Sequence, residues 1–318
     1  MRKTIVVAGG AGFIPSHVCQ RLVEEGNDVI CVDNLITGSK NNIESYVQQK
    51  KLVFIQKDIT DNDVATVLPE KIDEIYHLAS PASVTYIMEH PVASATVNSV
   101  GTKNLLDVAR KRGAKLLFAS SSEAYGDPKE HPQKESYWGN VNSVGMRSGY
   151  DEGKRFGEAL CMAYSRELGV DVKIIRIFNT YGPNSSPQDS RVIPAFVTAA
   201  LQNKPIPVHG DGSQTRSFCY VTDMADGMVR MMESNQTGPI NLGNPDEFRV
   251  VDVAKKIIEL TRSTSQIANV ARPPDDPSVR KPDITKAKEL LGWEPKVSLD
   301  EGLPLTIAYF RGILAGNE

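Results

Sequence analysis

The chain has 318 residues, which is enough for two domains or one large α/β unit and excludes a small disulfide-stapled module. Its 40% hydrophobic and 24% charged residues are typical of a folded globular protein. The net charge of -3, from 36 basic and 39 acidic residues mixed along the chain, argues against a nucleic-acid partner. Apolar runs are all shorter than the roughly 18 residues that a membrane-spanning helix needs, so we expect no membrane partner and a cytoplasmic location.

The cysteines and histidines follow neither a disulfide pattern nor a metal-binding pattern. Cys19, Cys31, Cys161 and Cys219 lie in apolar or helical segments without a CxxC pair, which is typical of buried free thiols in a reducing compartment. The five histidines show no HxxxH spacing and no acidic neighbour at ligand spacing. We therefore expect no metal site.

Short β-branched runs alternate with longer segments of helical periodicity in the first half of the chain. The predicted strands span residues 4–8, 29–33, 52–57, 74–77, 115–119 and 172–177. The predicted helices span residues 12–26, 97–113 and 150–169, and the last two end at glycines that can cap a helix in the left-handed conformation. This alternation predicts an α/β fold built on a doubly wound parallel sheet of the Rossmann type.

The second half of the chain is less regular, because prolines interrupt the short helices and strands that follow Tyr181. We expect a first domain over residues 1–180, with some later segments returning to it. Residues 181–318 are expected to form a smaller α/β domain that binds the substrate.

A glycine-rich turn follows the first predicted strand. In GGAGFIP, Gly10, Gly12 and Pro15 occupy the three glycine positions of the dinucleotide fingerprint GxGxxG. The first two glycines permit a tight turn and the close approach of a pyrophosphate to the helix N-terminus. Pro15 replaces the third glycine, whose role is packing, and proline is tolerated in a first helical turn. The phosphate-binding function is therefore expected to survive.

Polar residues at the ends of the next strands strengthen the prediction of a dinucleotide site. Asp33 ends the second strand, where a carboxylate can hold the ribose hydroxyls and repel a 2′-phosphate, which favours NAD over NADP. An incidental glycine turn beside an acidic residue is the alternative. The candidate cofactor-binding residues are Gly9, Gly12, Phe13, Ile14, Asp33, Asn34, Asp58, Ile59, Leu78, Ser80, Tyr150 and Lys154.

Tyr150 and Lys154 lie four residues apart, so a helix places both side chains on one face. An ammonium group and a positive nicotinamide ring both favour the phenolate form of a tyrosine, which can then remove a hydroxyl proton. A solvated helix face is the alternative interpretation of this spacing. The run Ser120, Ser121, Ser122 after the fifth strand favours catalysis, because it supplies a hydroxyl at the same sheet edge.

With these motifs in place, the chain resembles the extended short-chain dehydrogenase/reductases, and among them the UDP-glucuronate decarboxylases, or UDP-xylose synthases. The resemblance runs over nearly the whole chain. It is carried by VVAGGAGFI, CVDNLITGSKNNI, YHLASPAS, SSSEAYGDP, ESYWGNVNSVGMRSGYDEGKR, RIFNTYGP, GDGSQTRSFCYV, NLGNP and DDPSVRKPDITKAKELLGWEP. The segments ESYWGNVN, YDEGKR and DDPSVRKPD are the ones that point to the decarboxylases.

The resemblance implies an NAD-dependent nucleotide-sugar enzyme that converts UDP-glucuronate to UDP-xylose. It implies that Ser121, Tyr150 and Lys154 carry the oxidation and that Glu123 and Arg280 assist decarboxylation. It also implies a homodimer in which helices 97–113 and 150–169 pair across a two-fold axis.

The nucleotide end of the substrate is expected to bind arginines, because a guanidinium group makes bidentate contacts with phosphates. The candidate substrate-binding residues are Asn179, Arg191, His209, Arg216 and Arg280. A surface ion pair is the alternative for any single arginine.

Four residues bear on the reaction type. Ser122 stands where the 4,6-dehydratases have an acid, and Glu123 argues mildly against a simple 4-epimerase. Thr96 and Asn184 replace a lysine and an arginine that are usual in the decarboxylases, which weakens the case for a uronic acid substrate. The alternatives are a UDP-sugar 4-epimerase or 4-dehydrogenase acting on another nucleotide sugar, and an inactive NAD-binding sensor.

Overall fold

The computed structural model describes residues 2–271 and 279–316. The strands of this part of the chain are β1 (Thr4–Ala8), β2 (Asp28–Asp33), β3 (Leu52–Gln56), β4 (Glu74–His77), β5 (Lys115–Ser121), β6 (Val172–Ile177), β7 (Thr180–Tyr181), β8 (Ile206–His209), β9 (Thr215–Ser217), β10 (Cys219–Tyr220), β11 (Ile240–Leu242), β12 (Glu247–Arg249) and β13 (Ile267–Val270). The helices are α1 (Phe13–Glu24), α2 (Glu44–Gln48), α3 (Val84–Glu89), α4 (Pro91–Thr96), α5 (Thr102–Arg112), α6 (Ser148–Leu168), α7 (Val192–Leu201), α8 (Val221–Glu233), α9 (Val250–Thr261), α10 (Thr285–Leu291) and α11 (Leu299–Ala315).

Seven strands form one parallel sheet in the order β11-β6-β5-β4-β1-β2-β3. The winding direction reverses between β1 and β4, and open α/β sheets bind ligands beyond the carboxyl ends of the strands at such a reversal. The predicted doubly wound α/β fold is confirmed. Strand β11 comes from the second half of the chain and forms one edge of this sheet.

Apolar side chains alternate along β1 and supply two separate cores. Ile5 and Val7 face the layer that contains α1 and α8, whereas Val6 and Ala8 face the layer that contains α5 and α6. Helices from both layers therefore fix the position of the sheet edge at which β1 ends. Of the described helices, none combines the length with the apolar character needed to cross a bilayer.

The second half of the chain builds a third core from its own elements. Phe196 of α7, Ile257 of α9 and Phe310 of α11 are buried together. The small sheets β7/β10, β8/β13 and β9/β12 lie in this half, and β7, which follows β6 directly, is in contact with α8.

The predicted element bounds are largely confirmed, with two informative differences. Strand β5 continues to Ser121, so two of the predicted serines belong to the strand. The predicted helix 97–113 is wrong at its start, because helical structure begins at Pro91 and residues Val97–Gly101 form a π-helical turn before α5. The predicted left-handed caps at Gly113 and Gly169 are confirmed, with φ of 67° and 69°.

Candidate active site

The turn after β1 is shaped by Gly9. Its φ is +81°, and a Cβ at this position would lie 2.7 Å from Ala79 Cα, on the segment that follows β4. At Gly10, a Cβ would lie 2.6 Å from the sulfur of buried Cys31. The expectation that Gly10 makes the tight turn is therefore wrong: Gly9 makes the turn, and Gly10 permits packing against the thiol.

Pro15 lies in the first turn of α1, as predicted. The helix begins at Phe13, and Ser16 N donates to Gly12 O at 3.1 Å, so the backbone hydrogen bonds resume directly after the proline. The first-turn amides of Phe13 and Ile14 have no carbonyl one turn earlier within the helix. These amides can therefore bind an anion at the positive end of the helix.

Two carboxylates lie beside this turn at the ends of β2 and β3. Asp33 accepts hydrogen bonds from Ala11 N at 3.0 Å and Leu35 N at 2.8 Å, and its burial raises the pKa of the carboxyl group. Asp58 is more exposed. Burial opposes its ionisation, but hydrogen bonds from Thr60 and Asn34 lower the pKa of Asp58 overall. Both acids are thus oriented by backbone or side-chain donors.

The tyrosine, lysine and serine predicted as catalytic meet at the junction of α6 and β5. The Ser121 hydroxyl hydrogen-bonds to Tyr150, and Lys154 Nζ donates to Ala119 O at 2.8 Å. Helix α6 can approach β5 closely because Gly157 faces Phe118, whose ring would lie 2.3 Å from a Cβ at position 157. Tyr150 and Lys154, the residues of the YxxxK spacing, are therefore both buried beside the end of β5.

Burial is the main influence on the pKa values of Tyr150 and Lys154. It raises the pKa of Tyr150 to about 12, although the hydrogen bond from Ser121 acts in the opposite direction. Burial also lowers the pKa of Lys154 to about 7, which Glu158 partly offsets. The tyrosine is thus a neutral hydroxyl that needs a nearby positive charge before it can act as a base.

Glu123 and Arg280 form a bidentate ion pair next to the serine. The carboxylate accepts hydrogen bonds from Arg280 Nη1 at 2.5 Å and Nη2 at 2.8 Å, and Glu123 N donates to Ser121 Oγ at 3.2 Å. Arg147 Nη2 lies 2.8 Å from the same carboxylate. Although burial opposes ionisation, Arg280 and Arg147 hold the pKa of Glu123 below its usual range. Glu123 is therefore an anion at neutral pH.

Two buried amide side chains hold the segment that carries Arg280. Gln133 Oε1 accepts a hydrogen bond from Lys281 N at 2.8 Å, and Asn241 Nδ2 donates to Asp283 O at 3.0 Å. Hydrogen bonds to the residues that directly follow Arg280 therefore help to fix its position. Within the motif DDPSVRKPD, residues 275–278 lie outside the described residues.

Arg147 and Asp151 were missed as site residues by the sequence reasoning. They lie three residues before and one residue after Tyr150, and Arg147 Nε is 3.8 Å from Asp151 Oδ2. Burial and the nearby charge of Glu123 raise the pKa of Asp151. The helical spacing of four residues between Arg147 and Asp151 was the signal that could have found them.

The predicted substrate-binding residues lie at several places around the cleft. Arg191 makes a bidentate contact with Asp189, and its guanidinium carbon lies 5.7 Å from the centre of the Phe13 ring, beside the glycine-rich turn. Arg216 lies on β9, and Ser217 Oγ donates to Arg280 O at 3.4 Å. Asn179 O accepts from Cys219 N, and His209 ends β8. The structure thus brings Arg216 near the Arg280 segment and Arg191 beside the glycine-rich turn.

The chain is similar to known proteins over most of its length. Residues 5–243 match the model of the NAD dependent epimerase/dehydratase family. The chain belongs to this family. UDP-glucuronic acid decarboxylase 5 of Arabidopsis thaliana is 50% identical over 308 residues, covering 96% of this chain and 89% of the relative. UDP-glucuronic acid decarboxylase 1 of Xenopus tropicalis is 48% identical over 310 residues, covering 98% of this chain and 72% of the relative.

Solved structures of epimerases share the fold of this family member. The UDP-glucose 4-epimerase of Thermotoga maritima, solved with UDP-glucose, is 33% identical with a TM-score of 0.90, covering 98% of this chain and 99% of the other. The UDP-glucuronic acid 4-epimerase of Bacillus cereus, solved with UDP-glucuronic acid and NAD, is 29% identical with a TM-score of 0.89 and the same coverage. The predicted superfamily is therefore confirmed.

The residues around the glycine-rich turn fit the NAD on which the family depends. Gly38 leaves space beside the acid, since a Cβ there would lie 3.0 Å from Asp33 Oδ2. Ser80 Oγ is buried and has no hydrogen-bond partner among the described residues. The Ile59 side chain packs against Gly101, and the Leu78 amide donates a hydrogen bond to Ala8 O at 3.0 Å. Gly9, Asp33 and Ser80 are the residues that would hold the dinucleotide.

The two departures from the decarboxylase pattern have definite structural positions. Thr96 ends α4, and its hydroxyl donates to Val92 O at 2.9 Å within the same helix. Asn184 adopts a left-handed backbone with φ of 68°, and its side chain donates to Ser16 Oγ at 3.0 Å. Asn184 therefore ties the loop after β7 to the first turn of α1. In residues 2–271 and 279–316, three or more His, Cys, Asp or Glu side chains do not gather at one place in a metal-binding arrangement.

Proposed function

We propose that the protein converts UDP-glucuronate to UDP-xylose and carbon dioxide through a 4-keto intermediate. The observation that carries this proposal is the buried Glu123–Arg280 pair, which is joined through Ser121 to Tyr150. It is supported by the relatives named as UDP-glucuronic acid decarboxylases, which align with nearly the whole chain.

The oxidation uses Tyr150, Ser121 and Lys154. NAD, which Gly9, Asp33 and Ser80 would hold, would supply the acceptor for the C4 hydride and the means of returning that hydride at the end of the cycle. Tyr150 takes the proton of the C4 hydroxyl, and Ser121 donates a hydrogen bond to the C4 oxygen. The Lys154 ammonium favours the phenolate form of Tyr150, since its nitrogen lies 5.6 Å from the centre of the tyrosine ring.

Loss of carbon dioxide follows from the position of the new ketone. The C6 carboxylate is β to the C4 carbonyl, so the electrons of the breaking C5–C6 bond move toward the C4 oxygen and form an enolate. Ser121 and Tyr150 face that oxygen and stabilise its charge. The Arg280 guanidinium, held by Glu123, lies beside the same centre. Water protonates C5 and gives the 4-keto pentose. When the hydride returns to C4, Tyr150 gives the C4 oxygen the proton that it took from the C4 hydroxyl.

A 4-epimerase of a UDP-sugar is the second candidate, because the solved structures with similar folds include epimerases. An epimerase leaves the carboxylate in place, so its product has the mass of the substrate. An inactive NAD-binding sensor would leave the substrate unchanged. The three functions therefore differ in the mass and the stereochemistry of the product.

Incubation with UDP-glucuronate and NAD tests the proposal directly. We expect the nucleotide sugar to lose the mass of carbon dioxide and little free NADH to appear in the absorbance, because the cofactor is regenerated. Loss of carbon dioxide with accumulating NADH would identify release of the 4-keto sugar. An unchanged mass would contradict the decarboxylase, and isomer analysis would then separate an epimerase from a sensor.

We propose that the protein forms a homodimer through α4, the π-helical turn and α6. Val92, Val100 and Phe156 on these elements are 78%, 41% and 51% exposed, which is unusual for large apolar side chains on neighbouring helices. Phe156→Glu is expected to convert the dimer to a monomer in analytical ultracentrifugation, because it places a charge in the apolar interface. Leu305→Glu, at a comparably exposed position of α11, should leave the dimer intact. A dimeric Phe156→Glu protein would contradict this interface.

A further inference from the structure

A buried ion pair that the reaction mechanism does not use lies behind Lys154. Glu158 follows Lys154 by one turn of α6, and Arg176 lies on β6. The Arg176 guanidinium donates to the Glu158 carboxylate from Nε at 2.8 Å and from Nη2 at 2.7 Å. The two side chains are only 14% and 11% exposed, so the pair is shielded from solvent. A pair of this kind costs desolvation energy, which suggests a purpose other than stability.

The pair also holds the catalytic strand. Ser120 Oγ donates to Glu158 Oε1 at 2.5 Å, and Ser120 directly precedes Ser121 on β5. The carboxylate of Glu158 therefore joins α6, which carries Tyr150, to the strand that carries Ser121. This contact limits sliding of the helix along the sheet, which would separate the two catalytic hydroxyls.

The guanidinium is in turn fixed by an aromatic ring. Its central carbon lies 4.6 Å from the centre of the Tyr125 ring, and the Tyr125 hydroxyl donates to Asn241 Oδ1 at 2.8 Å. Asn241 is the residue that also holds the Arg280 segment. Arg176 thus contacts both the Tyr125 ring and the Glu158 carboxylate, which limits the positions that the ion pair can adopt.

Few titratable groups face Lys154, and they come from three elements. Helix α6 contributes Tyr150, Glu158 and Cys161. Cys161 is a buried thiol near Glu158, and burial raises the pKa of this thiol. On β4 it is His77, whose pKa is lowered to about 3 by burial and by Lys154 itself, so it stays neutral. On β6 it is Arg176, whose charge is compensated by Glu158. Among the described residues, Glu158 is the anion that favours the charged form of Lys154 against burial.

We infer that Glu158 is a positioning residue for the oxidation of the sugar: held by Ser120 and Arg176, its carboxylate keeps the Lys154 ammonium charged and the Tyr150 hydroxyl against Ser121. The inference rests on the proposed function for its kinetic consequence. The charge of Lys154 itself is a property of the protein without substrate.

Replacing Glu158 with glutamine tests this role. Removal of the carboxylate disfavours the ammonium form, so Lys154 loses its proton at lower pH. The alkaline limb of the kcat profile is expected to move to lower pH by about one to two units. A purely structural role would lower kcat equally at every pH and leave the limb in place, which would overturn the inference.

The matched variants separate charge from packing. Glu158→Asp keeps the carboxylate and should keep the limb close to its wild-type position. Glu167→Gln removes an exposed carboxylate from the end of the same helix and should leave both kcat and the limb unchanged. If Glu158→Gln does not fold, Glu158→Gln with Arg176→Gln removes the unpaired buried arginine as well. The alkaline limb of this double variant should still lie below that of the wild type, and an unshifted limb would overturn the inference.

A titration without substrate separates this inference from the proposed function. Protein labelled with 13C-lysine is titrated by NMR, and the Lys154 signal is assigned by its loss in Lys154→Met. The Lys154 pKa should fall by the same one to two units, approximately, in Glu158→Gln. An unchanged Lys154 pKa would overturn the inference even if UDP-glucuronate is turned over. A wild-type protein without turnover would contradict the proposed function but leave this titration interpretable.

Discussion

Replacing Tyr150 with phenylalanine is expected to lower the turnover of UDP-glucuronate by roughly 10²–10⁴-fold, because the hydroxyl that accepts the C4 proton is lost. The tyrosine ring is only 6% exposed, and phenylalanine keeps its packing against the sheet. Tyr150 is also a candidate cofactor-binding residue, but affinity for NAD should fall by far less than turnover, because the ring and its packing remain. Steady-state kinetics with UDP-glucuronate and a fluorescence titration with NAD measure the two quantities separately.

The same helix offers a matched control. Tyr164 also lies on α6, and its hydroxyl donates to Asp107 at 2.7 Å, away from Ser121. Tyr164→Phe removes the same atom from the same element and should leave turnover unchanged. If Tyr150→Phe costs less than roughly tenfold, another group accepts the C4 proton, and the assignment of Tyr150 is wrong.

The local patterns of the sequence were sufficient to predict the sheet and the pair formed by Tyr150 and Lys154. Strand 4–8 is a nearly continuous apolar run because both faces of a parallel sheet are covered, and this burial is visible without any tertiary information. Strand 172–177 is apolar at four of its six positions, and Lys173 and Arg176 interrupt the run. Tyr150 and Lys154 are separated by one helical turn, so their proximity also follows from the spacing alone.

Features that depend on packing between distant segments were not accessible in this way. The doublet Gly9–Gly10 is ambiguous in sequence, and only the approach of Ala79 decides which glycine makes the turn. The helical start at Pro91 had a local signal, since proline is favoured in the first turn, but the π-helical turn interrupts the pattern that follows.

The Glu123–Arg280 ion pair also depends on packing between distant segments. Glu123 and Arg280 are 157 residues apart, and their association was implied by the family resemblance and not by any spacing. Arg147, which shares the Glu123 carboxylate, belongs to no motif position that the chemistry of oxidation requires. The bidentate contact between Glu123 and Arg280 depends on Gln133 and Asn241, which lie in two other parts of the chain and hold the Arg280 segment.

Replacing Glu123 with glutamine is expected to lower carbon dioxide release by about 10²–10³-fold, a loss similar to that caused by removing one polar group that stabilises developing charge. Glutamine has the same shape but no charge, so Arg280 loses the partner that makes two hydrogen bonds of 2.5 and 2.8 Å to the carboxylate. Tyr150, Ser121 and Lys154 remain, so oxidation at C4 continues and NADH should accumulate with a 4-keto uronate.

Trapped carbon dioxide and NADH absorbance, followed in the same reaction, separate the two steps. Glu130→Gln is the control, because this exposed carboxylate lies seven residues further along the same connection and should leave both signals as in the wild type. Denaturant unfolding of each variant checks that the buried arginines have not disrupted the fold. Unchanged carbon dioxide release in a folded Glu123→Gln protein would show that Arg280 needs no carboxylate partner for decarboxylation. A parallel loss of NADH formation would instead place Glu123 in the oxidation, because its backbone amide already contacts Ser121.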